Sequence, residues 1–273
     1  MTKDEKNDQS KTPNKQQESL VEVSHLAVTL GGTEVLKDVN LTVNRGEILG
    51  IVGGSGSGKT TLLREILGLT EPTSGSIRVF GKDISTASPA TLLSLQKRWG
   101  VLFQQNALFS SLTLLDNVIF PLKEHTNLGE ETRRELALLK IMMAGLPEEA
   151  AFKYPAELSG GMQKRAGVAR AIVLDPELIF LDEPTSGLDP ATAAQFDELI
   201  QNLQETMDLT IVMVTHDLDS LWTITDRVAF LGEGKVLSAE PITTLVKNPH
   251  PLIKSFFSGP RGRMAQLQYQ QEK

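Results

Sequence analysis

Residues 53–60 read Gly-Gly-Ser-Gly-Ser-Gly-Lys-Thr and fit the spacing G-x-x-x-x-G-K-[ST]. Immediately before them, Ile48-Leu49-Gly50-Ile51-Val52 has the apolar continuity of a strand buried on both faces, and Thr60 to Leu69 follows with helical spacing. A strand, a bare glycine turn and a helix in that order aim successive backbone N–H groups at one point, where the helix start adds a partial positive charge. Side chains would obstruct that convergence, which is the physical reason for glycine. The cradle suits a phosphate chain. Gly53, Gly54, Ser55, Gly56, Ser57 and Gly58 would surround its oxygens, with Thr61 in the first helical turn behind them. Lys59 would neutralise the β- and γ-phosphates, and the Thr60 hydroxyl is placed to ligate Mg²⁺. The plain alternative is a flexible Gly/Ser linker, but unpatterned linkers do not join a buried strand to a helix.

Further along, Leu178-Ile179-Phe180-Leu181 and Ile211-Val212-Met213-Val214 are two more short apolar runs, and such strands with helices between them predict an α/β core with a parallel sheet. Asp182 and Glu183 leave the first of these at its C-terminal end, where open α/β sheets bind ligands. Asp182 would hold Mg²⁺ through water and Glu183 would polarise an attacking water; an acidic turn ahead of Pro184 is the bland alternative. Thr215-His216-Asp217 ends the other strand and brings an imidazole to the same crevice, near the γ-phosphate, although a lone strand-end histidine is more often structural.

Outside this core the pattern changes. Val21 to Leu30, a Gly31-Gly32 turn, Val35 onward and Ser76 to Phe80 predict an antiparallel region. The stretch from about 88 to 175 reads mostly helical, with apolar spacing over Arg133 to Ala144 stopped by Gly145 and Pro147. Residues 1–19 hold four Lys and four acids among polar residues, as a solvated tail does, and Pro260 to Lys273 is Gln-rich. Over 273 residues, 27 basic and 34 acidic side chains give a net charge of −7, which disfavours nucleic acid as a partner. No cysteine is present, so disulfides, thiol nucleophiles and cysteine-based zinc sites drop out. No run reaches the roughly 18–20 apolar residues needed to span a bilayer, so any membrane role is expected to be peripheral.

Leu158-Ser159-Gly160-Gly161-Met162-Gln163 reads as a helix capped by Ser159, its first turn left bare by Gly160 and Gly161 and its apolar face carried by Met162, Ala166, Ala169 and Val173. With the phosphate loop before it and Leu178 to Glu183 after it, this segment resembles the signature sequence of ABC-type ATPases, and the order of motifs over residues 20–245 matches that family. The resemblance implies a P-loop NTPase (RecA-like) parallel-sheet core over 20–103 and 176–245, with the N-terminal antiparallel β region and a helical subdomain over about 104–175. The tail 1–19 and a C-terminal extension 246–273, a dimer or partner docking arm, lie outside it. It further implies a homodimer sandwiching two ATP molecules, each held by the Lys59 loop of one copy and by Ser159, Gly160 and Gly161 of the other. Gln104 would sense the γ-phosphate and Mg²⁺, and Asp189, in Ser186-Gly187-Leu188-Asp189, would link the two sites. One departure stands out: the aromatic ring that stacks on adenine in this family has Val28 at its expected place.

The segments Leu102-Phe103-Gln104, Ala107-Leu108-Phe109, Asp116-Asn117-Val118, Pro121-Leu122 and Glu124-His125-Thr126 are similar to ATPase subunits of the phospholipid transporters that maintain lipid asymmetry in the Gram-negative envelope. That likeness implies a peripheral position on the cytoplasmic face of the inner membrane, a separately encoded transmembrane permease that meets the segment after Gln104, and accessory lipid-binding subunits. His125 is expected to have no catalytic role. The rival expectations are an ABC transporter ATPase with other cargo, a soluble ABC ATPase acting on DNA or ribosomes, and a P-loop small-molecule kinase. A single motif set without heptads or cysteines disfavours the second, and the Leu158–Gln163 segment disfavours the third.

Overall fold

The computed structural model describes residues 18–258, so the expected tail up to residue 17 and the stretch from Pro260 to Lys273 lie outside the described residues. Ser19 already belongs to the first strand. β1 (Ser19–Leu30) and β2 (Thr33–Asn44) form an antiparallel hairpin around Gly31-Gly32, and β4 (Ser74–Val79) and β5 (Lys82–Asp83) complete a sheet of order β2-β1-β4-β5. Alternation along these strands buries Val21, Val23, Leu36 and Val39 in one core and leaves the other face to solvent.

The second sheet contains β3 (Ile48–Val52), β6 (Trp99–Leu102), β7 (Leu178–Asp182), β8 (Thr210–Val214), β9 (Arg227–Gly232) and β10 (Lys235–Glu240), in the order β10-β9-β3-β8-β7-β6. All its pairs are parallel except β9 with β10. Every residue of β3, β7 and β8 is buried, which is why the three read as unbroken apolar runs. They are flanked by α1 (Lys59–Ile66), α6 (Pro190–Met207) and α7 (Leu218–Ile224). Because β3, β7 and β8 are parallel neighbours, with Asp182 opposite Val214, the loops leaving their C-terminal ends share one crevice.

Within the expected helical stretch, β6 is a correction. Four residues, Trp-Gly-Val-Leu, are too few to show a period, and the strand exists because β7 offers an edge to pair with. Gly100 is fixed there by space: a Cβ would lie 2.1 Å from the Ala171 carbonyl oxygen. The remainder is helical as expected, in α2 (Pro89–Gln96), α3 (Leu114–His125), α4 (Glu130–Met143), two short tight turns and α5 (Gly160–Ala171). Leu115, Val118, Ile141, Ala166 and Ala169 give this part its own apolar cluster, whereas Val168 and Ile172 at the end of α5 pack toward the sheet with Leu102 and Ile179. The described part of the C-terminal extension is packed rather than free: α9 (Pro251–Phe257), after the short α8 (Ile242–Leu245), buries Ile253 and Phe257 with Trp222 and Phe230.

A buried carboxylate between α6 and α7 gives the fold a pH dependence. Burial pushes the Asp197 carboxyl up to about 7, with Asp217 and Asp219 pushing the same way and the Ser220 hydroxyl opposing them. The folded value exceeds the unfolded one near 3.8, so the stability tied to the neutral acid is complete below about pH 4 and is lost as pH rises toward 7. Asp197→Asn, which keeps the shape without the charge, is therefore expected to stabilise the chain at pH 8 by on the order of 2–4 kcal/mol, with the gain vanishing near pH 4. Denaturant unfolding of both proteins across that range checks this; a gain independent of pH would contradict it.

Candidate active site

The phosphate loop leaves β3 at Val52 and enters α1 at Lys59. At Gly53, φ is +155° and a Cβ would lie 2.1 Å from the Leu231 carbonyl oxygen and 2.8 Å from Ser57 Oγ, so the strand end admits no side chain. Gly58 caps α1 without a side-chain hydrogen bond, which leaves first-turn N–H groups available to an anion. Ser55 and Gly56 are exposed at the turn, and Thr60 and Thr61 stand in the first helical turn. Lys59 Nζ donates to the carbonyls of Gly53 at 2.9 Å and Gly54 at 3.0 Å. Burial pulls its pKa down, while Glu183 and Asp182 favour its charged form.

Asp182 is the last residue of β7 and is buried, with no hydrogen-bond partner for its Oδ1. Burial and then Glu183 raise its pKa against Arg64, Lys164 and Lys59. Thr60 and Asp182 line one cavity of about 350 Å³, together with Arg64 and Phe103. A lone buried carboxylate oxygen without a partner is costly. Beside a hydroxyl it offers hard oxygen ligands of the kind that hold Mg²⁺ together with substrate phosphates, so the residues present fit that ion.

Glu183 follows in the left-handed conformation, φ +49°, which costs about 1–2 kcal/mol for a residue with a Cβ. Three contacts hold it there. Its N–H donates to Val214 O at 2.8 Å, its carbonyl accepts from Lys164 Nζ at 3.2 Å, and its Oε2 lies 2.7 Å from His216 Nδ1. The Thr185 hydroxyl donates to Asp217 at 3.1 Å, which ties the loop after Glu183 to the loop after His216. A carboxylate and an imidazole thus face each other beside the metal-fitting Asp182, an arrangement able to orient a water and accept its proton.

Gln104 follows β6 in an exposed turn, and its carbonyl accepts from Lys164 Nζ at 2.7 Å. Ser159 caps α5, accepting from the Met162 N–H at 3.3 Å. Asp189 caps α6, and Thr192, which donates to it, packs its methyl over Gly161, so Asp189 and the signature glycines share one face. Among the described residues no hydrogen bond joins Ser159, Gly160 or Gly161 to residues 53–61 of the same chain. Val28 is a correction: it is 2% exposed and points into the core, because strand alternation turns it inward, and it cannot stack on a base. The exposed apolar side chain at that end of β1 is Leu30, at 50%. Lys164, Arg64 and Arg170 escaped the sequence reading. A lysine beside Gln163 and Arg165 reads as part of a solvated face, and only the fold shows what it reaches.

The ABC transporter family pattern matches residues 36–186, more than half of the chain. The intermembrane phospholipid transport system ATP-binding protein MlaF of Escherichia coli (strain K12) is 39% identical over 241 residues, covering 88% of this chain and 89% of that protein. The probable ribonucleotide transport ATP-binding protein mkl of Mycobacterium tuberculosis is also 39% identical over 241 residues, covering 88% of this chain and 67% of its own. Among solved structures, a dimeric ATP-binding cassette in a post-hydrolysis state with ADP and Pi superposes with a TM-score of 0.74 at 34% identity, over 81% of this chain and 98% of that one.

Proposed function

The chain belongs to the ABC transporter family as an ATP-hydrolysing subunit, and from that premise we propose that it works as a homodimer on the cytoplasmic face of an inner membrane, driving phospholipid movement through a separately encoded transmembrane permease. The observation that carries the hydrolytic part is the 2.7 Å contact between Glu183 and His216, one residue beyond Asp182 at the mouth of the phosphate loop. Glu183 orients water and takes its proton, His216 contacts the γ-phosphate region, and Gly53 to Thr61 hold the triphosphate, with Lys59 on the β- and γ-phosphates. Thr60 and Asp182, with Gln104, hold Mg²⁺, which when bound neutralises charge on the transferring group. Ser159, Gly160 and Gly161 present a bare helix start to the nucleotide on the second copy, and Asp189 passes the state of one site to the other. The dimeric state of the solved cassette supports this reading.

The phospholipid cargo is supported by the likeness to MlaF, which spans nearly the whole of both chains. A membrane partner is supported by a cleft of about 310 Å³ between α3, β6 and α5, lined by Trp99, Phe103, Phe109, Phe120, Glu124 and Arg170. Phe109 and Phe120 are exposed there with ring centroids 4.9 Å apart, an apolar anchor site of the sort that helix-in-groove partners use. Among the described residues no helix is long and apolar enough to cross a membrane, so attachment through a partner suits the chain. Accessory lipid-binding subunits would join through that permease.

Affinity purification from membranes, with co-eluting subunits and lipids identified by mass spectrometry, tests the proposal: a transmembrane subunit and phospholipids are expected. Recovery of ribosomal or DNA-bound partners, or of a different cargo, would overturn the transport assignment. Phe120→Asp places a charge in the cleft and is expected to cut recovery of the transmembrane subunit about tenfold or more; unchanged recovery would place the partner elsewhere.

A further inference from the structure

Lys164 lies on α5, five residues beyond the capping Ser159, and is only 5% exposed. A buried ammonium is costly unless its three N–H groups are used, and an apolar residue would fill the space more cheaply. Here the Lys164 ammonium donates to two carbonyls from different parts of the chain, Gln104 O at 2.7 Å and Glu183 O at 3.2 Å. Burial opposes its charge, while the carboxylates of Asp182 and Glu183 favour it.

One partner is itself left-handed, and the other leads into a left-handed turn. Glu183 is left-handed, and so are Asn106 and Ala107 just after Gln104, at φ +60° and +50°. Arg170, from the same helix, donates to Asn106 O at 2.8 Å and Ala107 O at 2.6 Å. The helix therefore grips residues 104–107 by three carbonyls, and among these grips only Lys164 also reaches the residue after β7.

We propose that Lys164 is a positioning residue for hydrolysis, the link through which α5 holds the backbones of Gln104 and Glu183 in register with each other. This inference rests on the assignment of Glu183 as the group that orients water. When the tip of α5 meets the nucleotide on the second copy, a displacement of the helix moves both carbonyls with it, so dimer closure sets Glu183 and Gln104 together. Binding of ATP to the phosphate loop does not use Lys164, so its removal separates turnover from binding.

The test uses the full-length chain and measures steady-state ATP turnover, KM for ATP, and thermal melting for Lys164→Met, Lys164→Gln and Lys164→Arg. Lys164→Met keeps the stem and removes the donors; it is expected to lower kcat roughly ten- to hundredfold with KM within about twofold. Lys164→Gln, with one amide donor group, is expected to fall between, and Lys164→Arg to recover most of the rate. Lys140→Met is the control, a lysine equally buried but paired with Asp175 away from the crevice, and it reads the cost of losing a buried lysine as such.

An unchanged kcat in Lys164→Met overturns the proposal. So does a loss shared by kcat, KM and melting temperature that resembles Lys140→Met and is not rescued by arginine. Should Lys164→Met fail to fold, the graded order of the Gln and Arg variants decides in the same way. Glu183→Gln is run beside them: full turnover in that variant removes the underlying assignment, whereas a stalled Glu183→Gln beside a fully active Lys164→Met removes only the inference about Lys164.

Discussion

Glu183→Gln is expected to lower ATP turnover by about a hundredfold or more while ATP still binds, because a positioned general base contributes on the order of 10²–10⁴ in rate. The amide keeps the size and left-handed backbone of Glu183, so the contacts to Val214 O and Lys164 Nζ survive. What disappears is the negative oxygen that lies 2.7 Å from His216 Nδ1 and can take a proton from water. The phosphate loop, Asp182 and the signature helix are untouched, so the ground state with ATP bound is retained while the step out of it is slowed. The variant should therefore accumulate as an ATP-bound dimer, seen as a doubling of mass in light scattering when ATP is added and its absence with ADP. An unchanged rate would take Glu183 out of the role assigned to it, and a slow variant that stays monomeric with ATP would separate hydrolysis from the proposed clamp.

The lines of sequence that were legible are those where one local cause dominates. β3, β7 and β8 read as unbroken apolar runs because both faces of a parallel sheet are covered, and Ser159 marked a helix start because a capping hydroxyl leaves a local signature. The loop 53–60 was readable for the same reason, since backbone convergence leaves no alternative to glycine at its tightest point. Where the cause is tertiary, the sequence was silent or misleading. β6 is made by the edge of β7, and Val28 is turned inward by the parity of a strand whose register shifts along β1, which places Leu30 outside. The left-handed backbone of Glu183 and the grip of Lys164 are products of loops that meet at one crevice, and no spacing along the chain encodes them.

Lys59→Ala is expected to weaken ATP binding by roughly ten- to a hundredfold or more, since a hydrogen bond to a charged group is worth about 1.5–3 kcal/mol. The ammonium is held over the loop by Gly53 O and Gly54 O, so it stands where the phosphates of a bound triphosphate would exchange for those carbonyls. Folding should change little by comparison, because truncation also relieves the burial that pulls the Lys59 pKa down. That lowered pKa supplies a second, sharper readout. Only the protonated lysine attracts phosphate, and its ionisation begins at a lower pH than that of an ordinary lysine at 10.5. Wild-type affinity should then begin to fall at a lower pH than an ordinary lysine would allow, while the affinity of Lys59→Ala, already low, stays flat. Titration with a fluorescent ATP analogue at several pH values checks both parts. Undiminished binding by Lys59→Ala would count against the phosphate loop as the nucleotide site, and a parallel decline in the two proteins would assign the alkaline loss to another group.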